Sequence, residues 1–320
     1  MSDESTSAPA TGAAGSARQT RGLRADLRAT VPEFLVAALL TAGVFVFLYF
    51  RMRAGRADTT AVMPFLADPA EFWMYLLSQA FGWTGLLWAY LTVVLGLLTS
   101  GPGPRLPWGS ARLERLHRTS SLCAIVLMLA HAVLFLAELV RDAADKAWPA
   151  RIFGALVETF VPGGYTSGTG ALAIPIGQAG LYLAMLLGLT FYLRNRIGPR
   201  TWRILHRTVI ISYALSIWHT LLYGTNVWYS GWPRTVLWAI QIPIVVLLLI
   251  RLFRPARRGE RLPAKDAPTK GRQPRISRAT RIAGRIATAL LLPILVWVIV
   301  SGQDGGRPRE EPSSVTHQHD

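Results

Sequence analysis

The 320-residue chain has one cysteine, Cys123, and only 18 acidic residues against 34 lysines and arginines. A single thiol excludes a disulfide scaffold and any zinc site of the paired-cysteine kind, and leaves the redox compartment unreadable from thiols. Charge is scarce too: 16% of residues are charged, against about 25% in an ordinary soluble domain. No GxGxxG or Walker A pattern occurs, and the Gly-rich TSGTG at 166–170 falls in an expected outer loop, so no phosphate cradle is read from this chain. What remains is apolar. Hydrophobic residues make up 51% and the mean hydropathy is +0.32, gathered into long runs that make this a polytopic membrane protein. The net charge of +16 would suggest nucleic acid in a soluble protein. Here it lies between the apolar runs, and no nucleic-acid partner is expected.

Residues 1–30 are rich in Ser, Ala, Thr and Gly and carry Arg18, Arg21, Arg24 and Arg28, a composition that predicts a disordered basic tail. The run from Val31 to Phe50 is too long for an ordinary signal core and is followed by no small-residue cleavage site, so it reads as the first span. Further runs fall at about Phe72–Thr99, Arg118–Val140, Ala171–Leu193, Thr208–Tyr223 and Trp232–Ile250, near the roughly 20 residues that a bilayer core demands. The fold class is thus all-α, a polytopic helical bundle with a six-span core over 31–252. A basic linker follows at 253–281, a seventh span at 282–302, and a polar tail at 303–320 that holds His317 and His319. Pro293 and Arg285 leave a surface-lying helix as the alternative for the seventh segment.

Counting Lys and Arg in alternate segments puts 25 on one side and 9 on the other. The positive-inside rule makes the first side cytoplasmic, with the N-terminus inside and the C-terminus outside, in a cell membrane. Residues 251–285 alone hold 12 basic and 2 acidic residues with four prolines, a segment suited to anionic lipid. Trp228, Tyr229 and Trp232 read as outer interface anchors.

Four of the six histidines lie in or at the edge of spans: His117 and His131 in the third, His206 and His219 in the fifth. Ionisable groups at that depth are costly and mostly functional. The first pair is 14 residues apart and the second 13, so each spans roughly 20 Å of helix. Both spans run from inside to outside, which sets His117 level with His206 and His131 level with His219. One imidazole from each of two helices at matching height is the axial set of a six-coordinate haem b, and two such pairs call for two haems. Each histidine alone also fits a structural imidazole bonded to a neighbouring helix. One geometric point resists: at about 100° per residue, 14 residues return to within about 40° of the same face, whereas 13 end about 140° away. The fifth span is then distorted, or the second site rotated about the bundle.

Arg115 and Arg118 flank His117, and Arg203 and Arg207 flank His206. Arg118 and Arg207 are candidate partners for haem propionates, with positive-inside anchoring as the plainer use. Gly82, Gly85 and Gly96 in the second span suit close approach of a porphyrin or, more simply, of another helix. Cys123, Met128 and Met185 read as filler.

The stretches LERLHRTSSLCAIVLMLAH (113–131) and RTWRILHRTVIISYALSIWHTLLYGT (200–225) resemble the haem-bearing spans of the ferric reductase-like transmembrane domain family. That family includes the membrane part of the NADPH oxidases and the haem subunit of the periplasmic methionine sulfoxide reductase system. The similarity extends over about Phe72–Leu252. It implies that His117 and His206 bind an inner haem and His131 and His219 an outer one. Many relatives continue into a flavin and nicotinamide domain, where this chain has a basic linker. The expected function is therefore electron transfer from a separate cytoplasmic flavoprotein or a membrane quinol to an extracytoplasmic acceptor. The alternative within the family is the haem subunit of an exported reductase. A histidine-dependent proton channel or transporter is the reading of a different class, disfavoured by the absence of an inverted repeat or paired broken helices.

Overall fold

The computed structural model describes residues 22–100, 110–253 and Pro293. Residues 1–21, the middle of the first expected cytoplasmic loop, and the expected linker, seventh span and C-terminal tail, Pro293 apart, lie outside the described residues. The described chain is all helical: α1 (Leu23–Arg53), α2 (Asp58–Val62), α3 (Trp73–Ser100), α4 (Ser110–Asp142), α5 (Trp148–Phe160), α6 (Gly170–Ile197), α7 (Pro199–Tyr223), α8 (Trp232–Ala239) and α9 (Ile242–Phe253). Five segments are long and apolar enough to cross a bilayer: α1, α3, α4, α6 and the α8–α9 stretch from Trp232 to Arg251. The protein is an integral membrane helical bundle.

Three features differ from the sequence expectation. The Thr208–Tyr223 run is the end of a 25-residue helix, whose arginine-rich first half keeps it below the hydropathy of the other five. The sixth run is two helices, because Pro243 at the start of α9 has no N–H to continue the ladder of α8. Gln241 fills the break: its amide donates to the Leu237 carbonyl at 2.8 Å and its oxygen accepts from the Tyr213 hydroxyl at 2.8 Å. Third, the connection between α4 and α6 contains α5, an amphipathic helix that leaves Trp148, Ile152 and Phe153 exposed.

The buried positions of α1 are Asp26, Thr30, Ala37, Thr41, Leu48 and Met52. They alternate steps of four and seven, a narrow seam whose small residues let neighbouring backbones approach. Leu35, Val36, Leu39, Phe47 and Phe50 lie on the other side, all exposed as lipid-facing residues are. The tightest packing joins α3 to α4 and α6 to α7. A core of Leu86, Leu97, Tyr213, Ile217, Leu221, Ile244 and Leu248 then ties α7 and α9 to α3. In the second pair, Ser212 donates to the Gly180 carbonyl at 2.7 Å, an interhelical bond made where glycine bares the backbone.

Candidate functional site

α4 carries His117 and His131, and α7 carries His206 and His219. The rings of His117 and His206 lie with centroids 5.8 Å apart, and those of His131 and His219 6.3 Å apart. The order of the pairs makes α4 and α7 parallel, with the two pairs about 20 Å apart along them.

Three of the four rings are anchored by the same device. His117 Nδ1 lies 3.0 Å from the Thr92 carbonyl, His131 Nδ1 2.7 Å from the Ser78 carbonyl, and His219 Nδ1 2.8 Å from the Ala173 carbonyl. A carbonyl oxygen only accepts, so Nδ1 carries the proton in each ring and Nε2 is left with the lone pair. Four residues beyond each acceptor stands a glycine: Gly96, Gly82 and Gly177. A residue at i+4 lies over the carbonyl at i on the same helix face, and a side chain there would push the ring away. A Cβ at Gly96 would come within 3.0 Å of His117, at Gly82 within 3.1 Å of His131, and at Gly177 within 2.7 Å of His219. Gly82 and Gly96 therefore make room for imidazoles. Gly85 meets Leu127 and the Met128 backbone, a plain helix contact.

His206 is different. Its ring stacks on Trp202, with centroids 5.2 Å apart and planes at 22°. Its Nδ1 is buried without a hydrogen-bond partner among the described residues, as are Trp202 Nε1 and Arg118 Nε nearby. Arg118 is half-buried, its guanidinium 5.8 Å from the Phe191 ring and 4.0 Å from the Asp26 carboxylate, which also accepts from the Tyr192 hydroxyl at 3.1 Å. Phe191 in turn packs on Trp202 at 5.9 Å. Arg207 and Arg115 are exposed.

Around the His131–His219 pair α3, α4, α6 and α7 line a cavity of about 160 Å³ that opens at one side. Trp83, Leu86, Met128, Phe135, Ile174 and Leu181 supply apolar walls; Gln79, Gln178, Thr220, Tyr223 and Asn226 supply a polar edge. Met128 is thus a cavity wall. Among the described residues no three His, Cys, Asp or Glu side chains converge on a point. The protein offers two imidazoles per site.

Residues 81–217 match the family model of the ferric reductase like transmembrane component. This segment is a ferric reductase-like transmembrane domain. The match covers α4, α6 and most of α3 and α7; it contains His117, His131 and His206 and ends two residues short of His219. No curated protein matches the chain. As a membrane-embedded domain of this family it is a membrane oxidoreductase component, in contact with lipid.

Sequence reasoning missed Asp26, Trp202 and Gly177 in the ferric reductase-like domain and its surroundings. A signal for the glycines existed, since Gly82 and Gly96 repeat the 14-residue spacing of His117 and His131.

Proposed function

We propose that the protein is a bis-haem b electron-transfer component that passes electrons from a cytoplasmic flavoprotein or membrane quinol to an acceptor on the opposite side of a cell membrane. His117 and His206 would hold one haem and His131 and His219 the other. The observation that carries the reading is the paired, tethered imidazoles. An imidazole nitrogen sits about 2.0–2.1 Å from a metal and about 1.1 Å from its own ring centre, so two rings sharing one ion have centroids about 6.3 Å apart. The observed 6.3 Å equals that value and 5.8 Å falls half an ångström short of it. In His117, His131 and His219 the Nδ1–carbonyl bonds leave Nε2 as the nitrogen that would coordinate, the usual arrangement of ligating histidine. Two imidazoles are a partial ligand set, and a macrocycle would supply the remainder.

Haem b held between two imidazoles supplies outer-sphere transfer of single electrons. The apolar walls of the outer cavity exclude water and its polar edge suits the carboxylate side of an amphipathic macrocycle. At the inner pair, the unpartnered Arg118 Nε and Trp202 Nε1 are buried donors in need of an acceptor, which a propionate would provide. Asp26 and Tyr192 hold Arg118 in place. Arg207, being exposed, suits an interface anchor better than a propionate clamp.

Purified protein should give two haems per chain in a pyridine haemochrome assay, with the split bands of low-spin haem b on reduction. A reproducible ratio near zero would sink the reading, and a ratio near one would restrict it to a single pair. Orientation has its own test. On a background lacking Cys123, cysteines placed at 229 and 163 should be labelled from outside intact cells and one at 204 should not. Labelling at 204 from outside would invert the map drawn from the 25 to 9 charge count.

A further inference from the structure

The four ring nitrogens that face away from the paired sites are not treated alike. Both outer rings, His131 and His219, donate Nδ1–H to helix carbonyls, and His131 has the Ser78 hydroxyl 3.0 Å away as well. At the inner pair only His117 is tethered; His206 Nδ1 is buried with no acceptor among the described residues. The 13-residue step on α7 accounts for this. Gly82 and Gly96 on α3 are antiparallel counterparts of His131 and His117 at an equal spacing of 14, so both rings of α4 find a carbonyl bared by glycine. Gly177 on α6 serves His219, but the position 13 residues along α6, level with His206, is Thr190. The step also turns His206 about 140° from the face of His219. The ring rests on Trp202 instead, one turn back on its own helix.

A hydrogen bond from Nδ1 to a carbonyl pushes electron density onto the imidazole and raises its basicity as a ligand. A more basic axial set favours the higher oxidation state of the metal it binds, and hydrogen bonding around the ligands is one of the levers on haem potential. Given the bis-haem reading, on which this rests, we propose that the two sites are electronically unequal: the outer pair His131 and His219 is the stronger donor set, and the outer site has the lower reduction potential. Gly82, Gly96 and Gly177 act as tuning residues by keeping the carbonyls accessible. Arg118 beside the inner pair works in the same direction, since a nearby positive charge favours the reduced form. Outward transfer is then uphill between the sites, and a membrane potential negative on the donor side favours it.

Redox titration of the haem-loaded full-length protein, followed spectroscopically, should resolve two midpoints. His131→Ala leaves the inner site, whose midpoint should match the higher wild-type value; a match to the lower value overturns the proposal. Glycine variants separate the carbonyl contribution from that of Arg118. Gly82→Ala should raise the lower midpoint by about threefold in the redox equilibrium, about 28 mV for a one-electron couple. Gly96→Ala should raise the higher midpoint in the same way, and Gly85→Ala, whose methyl meets no imidazole, should move neither. A lower midpoint unmoved in Gly82→Ala with its haem still bound overturns the proposal. If that variant sheds the outer haem, the His131→Ala comparison decides. Failure of the underlying reading looks different: a protein without a haem spectrum gives no midpoints at all.

Discussion

His131→Ala should retain about half of the haem absorbance of the wild type and lose nearly all reduction of an impermeant external acceptor. The expectation follows from the isolation of the outer pair. His131 meets His219 across 6.3 Å and is anchored only at Ser78 on α3, whereas His117 lies 14 residues away, about 21 Å along α4. Alanine is the best helix former, so α4 persists. The Ser78 carbonyl keeps its helical N–H partner, and the vacated volume adds to the cavity that His131 already lines. The inner pair, with its Thr92 tether and Trp202 stack, has no contact with the altered position. A gap of about 20 Å to the outer face is then too long for rapid electron exit. The check is a haemochrome ratio on the purified variant beside the reduction rate of an external one-electron acceptor in vesicles. Undiminished haem content would show that His131 is not a ligand; an undiminished external rate would show that electrons do not leave through the outer pair.

The bundle was legible because a bilayer imposes a one-dimensional rule: runs of about 20 apolar residues must be helices. That rule also fails in a predictable way. α7 carries Arg200, Arg203, Arg207 and two histidines, so the apolar run at 208–223 shows only its second half. The break between α8 and α9 was written in Pro243, but a single proline inside an apolar run does not say whether neighbouring groups will bridge it, as Gln241 does.

The candidate site was legible as residue types at a spacing, and not as contacts. Histidines 14 apart on α4 share a face, which α3 meets with glycines also 14 apart. The 13-residue step on α7 looked like an obstacle to pairing. α7 is nevertheless one unbroken helix that brings both its rings to α4. The angular mismatch appears on the far side of the rings, where His219 is tethered to α6 and His206 is not. A spacing argument sees one helix at a time and cannot assign a mismatch to one side of a side chain or the other. Asp26 was invisible for a related reason: it lies in the first turn of α1 between Arg24 and Arg28, and only the packing of α1 beside α4 and α6 brings it to Arg118 and Tyr192.

His117→Ala should produce the complementary defect, separable from that of His131→Ala by exchanging the side from which electrons enter. His117 lies beside the arginine-rich end of α4 and meets His206, whose ring is held by Trp202 and not by a carbonyl. With its partner gone, His206 has neither a tether nor an opposed imidazole, so the inner haem should be lost more completely than the outer one in His131→Ala. Haem content should again fall to about half. With a cytoplasmic-side donor the remaining haem should stay oxidised, because roughly 20 Å of bundle separates it from the point of entry. An impermeant reductant added outside should reduce it at the wild-type rate, since Ser78, Gly82, Ala173 and Gly177 still hold the outer rings. In His131→Ala the same two reagents should give the opposite result: reduction from the inside donor and little from outside. Variants that respond identically to both reagents would mean that the two pairs do not form an ordered relay. Complete haem loss in both, with the helical content and detergent solubility of the wild type, would mean that the four histidines hold their cofactor as one site.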